Sequence, residues 1–179
     1  DAGVHAEGQV AHFDTNSKIP PEKFCKALNV LLPDTVKVIK SEKTADDFNA
    51  VKNAKRKTYR YSIYLSEITL PLKEKYYSKI SGKIDLNKMK AAAELIKGEH
   101  DFKCFSSTGS SVKTTVRTVY GLAVEKSGND IFITVTGNGF LYNMVRIISG
   151  TLVDVGIGKI KPEEIPNIIE NFTIKLEYN

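Results

Sequence analysis

Residues 116–135 alternate in hydropathy so regularly that they admit little but one local structure. Val116, Thr118, Tyr120, Leu122 and Val124 fall at every second position, the repeat of a β-strand. Ser127-Gly128-Asn129-Asp130 breaks the pattern with turn residues, and Ile131, Ile133 and Val135 resume it. Two alternating runs joined in this way predict a β-hairpin. The strongly apolar segment from Leu141 to Val155 that follows predicts a helix able to cover one face of it.

The rest of the chain repeats this mixture. Tyr59, Tyr61, Ile63 and Leu65 alternate and predict a strand from Lys57 to Leu65. Pro20-Pro21 opens a predicted helix with Phe24, Ala27, Leu28, Leu31 and Leu32 at helical spacing, and Pro33-Asp34 ends it. Asp85 reads as the N-cap of a helix with Leu86, Met89, Ala93 and Ile96 on one stripe, closed by Gly98. Pro162 starts another helix that ends near Asn171. Val10–Phe13, Val36–Ile39 and Thr173–Tyr178 read as further strands. Residues 47–57, and the stretch EHDFKCFSSTGSSVKTT, read as polar loops. Hairpins beside segregated helices predict an α+β fold, a mostly antiparallel sheet with helices packed on one side.

No linker or repeat divides the 179 residues, so one domain over 1–179 is expected. The net charge of +5 suits a polyanionic partner without requiring one. No apolar run reaches the ~18 residues of a membrane span, and no secretory signal precedes the first strand. Cys25 and Cys104 lie in unlike contexts outside any CxxC, the pattern of reduced cytoplasmic thiols. His5, His12 and His100 are dispersed, so no metal site is expected.

Four segments carry candidate chemistry. In DAGVHAEGQVAHFDT, the carboxylate Asp1 is followed by small residues and glycine, which let another backbone approach closely. In KRKTYRYSIY, Tyr59 and Tyr61 flank Arg60, a pattern that stacks a nucleobase while a cation meets phosphate, or one that packs tyrosines in a core. FSSTGSSVKTTVR offers hydroxyls with Lys113 and Arg117, suited to gripping phosphates; any exposed loop has a similar composition. In GNGFLYNMVRIISGTLVDVG, Arg146 lies amid apolar residues. It must either reach solvent along its stem or meet a carboxylate, because burying a lone guanidinium costs several kcal/mol.

These four segments, in this order, closely resemble the TruA family of tRNA pseudouridine synthases, through nearly the whole chain. The resemblance implies the pseudouridine synthase fold of the TruA type. It implies isomerisation of uridine to pseudouridine in the anticodon stem-loop of tRNA, at tRNA positions 38, 39 and 40, with no metal, organic cofactor or energy source. The base leaves its ribose at N1, turns, and rejoins through C5, after flipping out of the stacked arm. The family aspartate of RTDAGVHA falls on Asp1, its base-stacking tyrosine on Tyr59, and the arginine paired with the aspartate on Arg146. Arg60, His5, Lys113, Arg117 and Asn143 become candidate substrate contacts, with His5 more readily a stabiliser of its loop. The resemblance also implies a homodimer acting on tRNA in the cytoplasm.

The chain departs from the family pattern in places. It begins at the aspartate, so a strand-helix portion ahead of it is expected to be missing. Asn171 runs into Thr173 without the family's AGKTAPxxGLYL-like segment, which suggests a second gap near 171–173. DFNAVKNAK has Asn49 and Val51 where the family has histidine and arginine. A non-catalytic tRNA-binding or RNA-folding module would use the same basic and aromatic residues, but binding alone does not need the Asp1, Tyr59 and Arg146 set. A hydrolase acting on sugar–base bonds would usually need a second carboxylate flanking the bond, and none stands in a comparable setting.

Overall fold

A computed structural model describes residues 4–107 and 112–171 of the chain. The predicted strand at Thr173–Tyr178 lies outside these residues, as does the suspected gap. Two compact units divide the chain, residues 1–54 and 55–179.

The second unit is built on a five-stranded sheet. Its strands are β1 (Lys57–Leu65), β2 (Ser78–Ile80), β3 (Gly98–Asp101), β4 (Val116–Ser127) and β5 (Asp130–Gly137), in the order β2-β1-β5-β4-β3. Only the β1–β2 pair is parallel. The predicted hairpin is β4–β5, closed by a two-residue loop in which Gly128 takes a φ of 59°, a left-handed conformation that glycine adopts at little cost.

The alternation in β4 is not continuous. A register shift lies between Val119 and Gly121, so one extra residue re-aims the strand. Val119, Leu122 and Val124 are buried while Tyr120 turns out to solvent. The sequence pattern had placed Thr118, Tyr120 and Leu122 on one face.

Helices α2 (Leu86–Ile96) and α3 (Met144–Gly156) pack over one face of the sheet. The Asp85 carboxylate accepts from the Asn87 and Lys88 amides, as an N-cap does. Met89, Ala92, Ala93 and Ile96 then meet Ile63, Ile131, Ile133 and Val135 in the core. A 3-10 turn at Pro162–Glu164 leads into α4 (Ile165–Asn171), which adds Ile165 and Ile169. On the reverse face, Lys73 forms an ion pair with Asp130 and lies over the rings of Tyr64 and Tyr77. That contact, with the Leu70 amide donating to the Tyr64 hydroxyl, holds the 66–77 segment down.

Residues 99–107 of that polar stretch carry more regular structure than their polarity suggests. The first of these form β3 against β4, and Phe102 and Phe105 are fully buried around a 3-10 turn at Lys103–Phe105. β2 was not legible at all.

In the first unit, a 3-10 turn at Pro21–Lys23 leads into a helix, α1 (Phe24–Leu31), as predicted. The predicted strands at 10–13 and 36–39 do not form. Val10 and Phe13 are exposed, and the 38–41 segment is held by side chains instead of a ladder. Asn29 bonds both the amide and the carbonyl of Val38, and Ser41 accepts from the Cys25 amide while donating to the Pro21 carbonyl.

Two consequences can be measured. At Gly156, an added Cβ would lie 2.9 Å from Met89 Cγ and 3.1 Å from Ile84 Cγ2. Gly156→Val therefore destabilises the protein by about 2 kcal/mol, lowering Tm by roughly 4–8 °C; an unchanged melting curve would refute this close approach. At Cys104, burial pushes the thiol up from 9.0 to about 11, with the Asp101 charge adding to the rise and backbone hydrogen bonds opposing it. The folded state thus holds this proton more tightly than the unfolded chain. Its contribution to stability is complete below pH 9.0 and is lost as pH rises through about 11. Alkylation of Cys104 in the native protein should stay slow at pH 8 and accelerate only toward pH 11, as peptide mass spectrometry would read.

Candidate active site

The residues that could do chemistry gather where β5 gives way to α3. β1 runs antiparallel to β5 and sets Tyr59 opposite Val135 and Tyr61 opposite Ile133. Opposed residues share a face, so both tyrosines lie on the helix side, as the period-two pattern requires. Toward Ile63 the strand is buried, whereas Tyr59 remains 37% exposed. Its ring meets Phe140 edge to face, with centroids 5.4 Å apart and planes at 84°, a favoured aromatic geometry.

The 138–143 loop carries the chain from β5 into α3, and Asn143 ends it with a φ of 60°. This backbone is uncommon outside glycine, and asparagine tolerates it better than most residues. The Asn143 side chain does not cap α3. It donates to the Ser107 hydroxyl at 3.0 Å, and the Ser107 amide donates to the Tyr142 carbonyl at 3.1 Å. The 103–107 turn is thereby fastened to the start of α3.

Arg146 projects from the first turn of α3 and is exposed. Asp1 lies outside the described residues, and so does any pairing between the two. Arg117 is half-buried, donates to the Thr114 and Val116 carbonyls, and runs beside Gly139. Lys113 is exposed nearby in sequence. The structure therefore brings Tyr59, Asn143, Arg146 and Arg117 around one loop.

Arg60 is not part of that cluster. It lies on the opposite face of β1, opposite Thr134, with its guanidinium 5.5 Å from the centre of the Phe132 ring. His5 is exposed in the first unit. Asn49 caps its own turn, accepting from the Val51 and Lys52 amides. Two contributors escaped the sequence reading, Phe140 and Ser107. The available signal for Phe140 was an aromatic directly after Gly137-Asn138-Gly139 at a strand-to-helix junction. Among the described residues, no three His, Cys, Asp or Glu side chains come together as metal ligands, and no helix is long and apolar enough to cross a membrane.

Residues 92–177 match the sequence model of a family described as tRNA pseudouridine synthase. The chain is 50% identical over 170 residues to tRNA pseudouridine synthase A of Ruminiclostridium cellulolyticum, covering 94% of this chain and 69% of that protein. It is 48% identical over 171 residues to the enzyme of the same name from Acetivibrio thermocellus, covering 96% and 70%. The corresponding protein of Brevibacillus brevis is 46% identical over 169 residues. The chain thus spans about 70% of the length of these relatives. With identity near one half to relatives of which it covers more than two thirds, the chain belongs to the tRNA pseudouridine synthase family and is an enzyme of that kind.

Proposed function

We propose that the protein isomerises uridine to pseudouridine in the anticodon stem-loop of tRNA, at tRNA positions 38–40, with Asp1, Tyr59 and Arg146 as its catalytic residues. The observation that carries this reading is Tyr59, an aromatic ring seated on Phe140 at the open end of the helix face with about a third of its surface free. A buried core tyrosine would present nothing, and a freely mobile one would not orient a base.

The chemistry asks little of the protein beyond positioning and charge. The N1–C1′ bond breaks, the uracil turns, and a C5–C1′ bond forms. The hydrogen at C5 leaves as a proton and N1 ends protonated, so substrate and product are isomers and no cofactor is consumed. Asp1 supplies the carboxylate at the reacting sugar. Arg146 is assigned as its counter-ion, the pairing that the family resemblance implies, which favours the ionised form and fixes its orientation. Tyr59 stacks on the uracil, which flips out of the arm to reach the site. Lys113 and Arg117 at the rim and Arg60 on the reverse face meet phosphates, so binding weakens as salt rises. Asn143 contacts the substrate from the start of α3, and His5 stabilises the loop after Asp1. Both units act as one catalytic domain, in a cytoplasmic homodimer that shares each tRNA.

Release of tritium from tRNA labelled at C5 of uridine reads the isomerisation directly. Asp1→Asn abolishes release while tRNA affinity stays within about twofold, the neutral amide keeping the shape but not the charge; turnover by this variant would eliminate Asp1 as the essential residue. Arg146→Ala lowers turnover by about 100-fold through misplacement of the carboxylate. Its melting temperature stays near wild type, since an exposed surface change is worth within about 0.5 kcal/mol. Activity and melting both at wild-type values would leave Arg146 a mere solubilising residue.

A further inference from the structure

The geometry points to Phe140 as a positioning residue for Tyr59, with Gly137 as the seat that makes this possible. The inference rests on the reading above that Tyr59 contacts the reacting uridine, and adds how that ring is held.

On β5, Val135 and Gly137 share the helix face, opposite Tyr59 and Lys57 of β1. A side chain at 137 would be a diagonal neighbour of Tyr59 on that face. None is there. A Cβ on Gly137 would lie 3.3 Å from Cζ and 3.4 Å from Cε1 of Phe140, and 2.8 Å from the Thr118 carbonyl oxygen. The Phe140 ring therefore folds back into the space left by the missing side chain. From there it meets the Tyr59 ring at 5.4 Å.

The backbone beneath is held from a second direction. The Asn138 amide donates to the Thr118 carbonyl at 3.1 Å, and the Thr118 amide donates to the Asn138 side chain at 3.0 Å. This reciprocal pair closes beside the β4 register shift, where Val119 still pairs with Gly137. The 2.8 Å approach involves backbone oxygen, which cannot rotate away as a side-chain tip could. The loop is thus pinned on one side, and Phe140 can only lie over Gly137. Without that ring, Tyr59 would stand at a half-exposed strand position with freedom at χ1. With it, one edge-to-face contact selects an orientation before substrate arrives. Such preorganisation acts on the reacting complex more than on the affinity for a large RNA held by many phosphate contacts.

The test is a double-mutant cycle by tritium release under single-turnover and steady-state conditions, with Tm recorded for every variant. Phe140→Leu keeps an apolar side chain and removes the ring. It is expected to lower kcat about threefold to tenfold with KM for tRNA little changed, the range that an aromatic pair supports. Phe140→Tyr, which restores a ring, should recover most of that loss. In a Tyr59→Leu background, Phe140→Leu should cause no further loss. An equal loss with or without Tyr59, or no loss while Tyr59→Leu is impaired, overturns the positioning role and leaves the role of Tyr59 intact. Full activity of Tyr59→Leu alone would remove the prior reading, and the proposal with it. If Phe140→Leu does not fold, Phe140→Met takes its place in the same cycle.

Discussion

The pairing register between β1 and β5 decides which face of the sheet Tyr59 occupies, and most of the site follows from it. Ile63 opposite Ile131 and Tyr61 opposite Ile133 place the apolar set under the helices, and the same register carries Tyr59 to the helix side and Arg60 to the reverse. A slip of one residue would exchange those faces entirely. Burying Ile63, Ile131, Ile133 and Val135 makes such a slip costly, at about 25 cal/mol for each Å² of apolar surface returned to water. The orientation of Tyr59 is therefore secured by hydrophobic burial two and four positions away. Lys73 paired with Asp130 reinforces this at the far end, where β5 begins.

The cations of the site contribute in another way. Arg146 and Lys113 are exposed and Arg117 is half-buried, so none creates the low-dielectric setting in which an ion pair is worth many kcal/mol. Exposed pairs add roughly 0–1 kcal/mol to stability. What such cations supply is a local positive potential, strengthened at the first turn of α3 by the positive end of the helix dipole. That potential attracts a polyanion. A modest net charge of +5 is sufficient when the cations are placed this way.

How far the sequence could be read depended on whether each element carried its own signal. The β4–β5 hairpin, α2 with its Asp85 cap, and α3 were legible because periodicity and capping are local. β2, three residues long, and β3, which begins at a Gly98 with φ of 113°, exist only because a neighbouring strand offers a partner. Conversely, Val10–Phe13 and Val36–Ile39 have strand-like composition without a ladder among the described residues, since β-propensity expresses packing context more than backbone preference. In the site, Tyr59 and Arg146 stood out as residue types in unusual company. Phe140 did not, because its place depends on the absence of a side chain at Gly137, and an absent atom leaves no trace in a hydropathy pattern.

The loop at 138–143 gives these separate features a common frame. Asn138 locks it to β4 through Thr118, Phe140 rests on Tyr59 of β1, and Asn143 ties it to Ser107 before α3 begins. Each attachment reaches a different element, so the loop cannot shift relative to one without breaking a contact to another. Met144, next in the chain, is fully buried, which fixes the helix start against the core. The guanidinium of Arg146 therefore leaves a helix whose origin is anchored to the same segment that seats the Tyr59 ring. Reacting groups held within about half an ångström gain rate from geometry alone, and here an aromatic group on a strand and a cation on a helix are held in relation by one short connection instead of by direct contact.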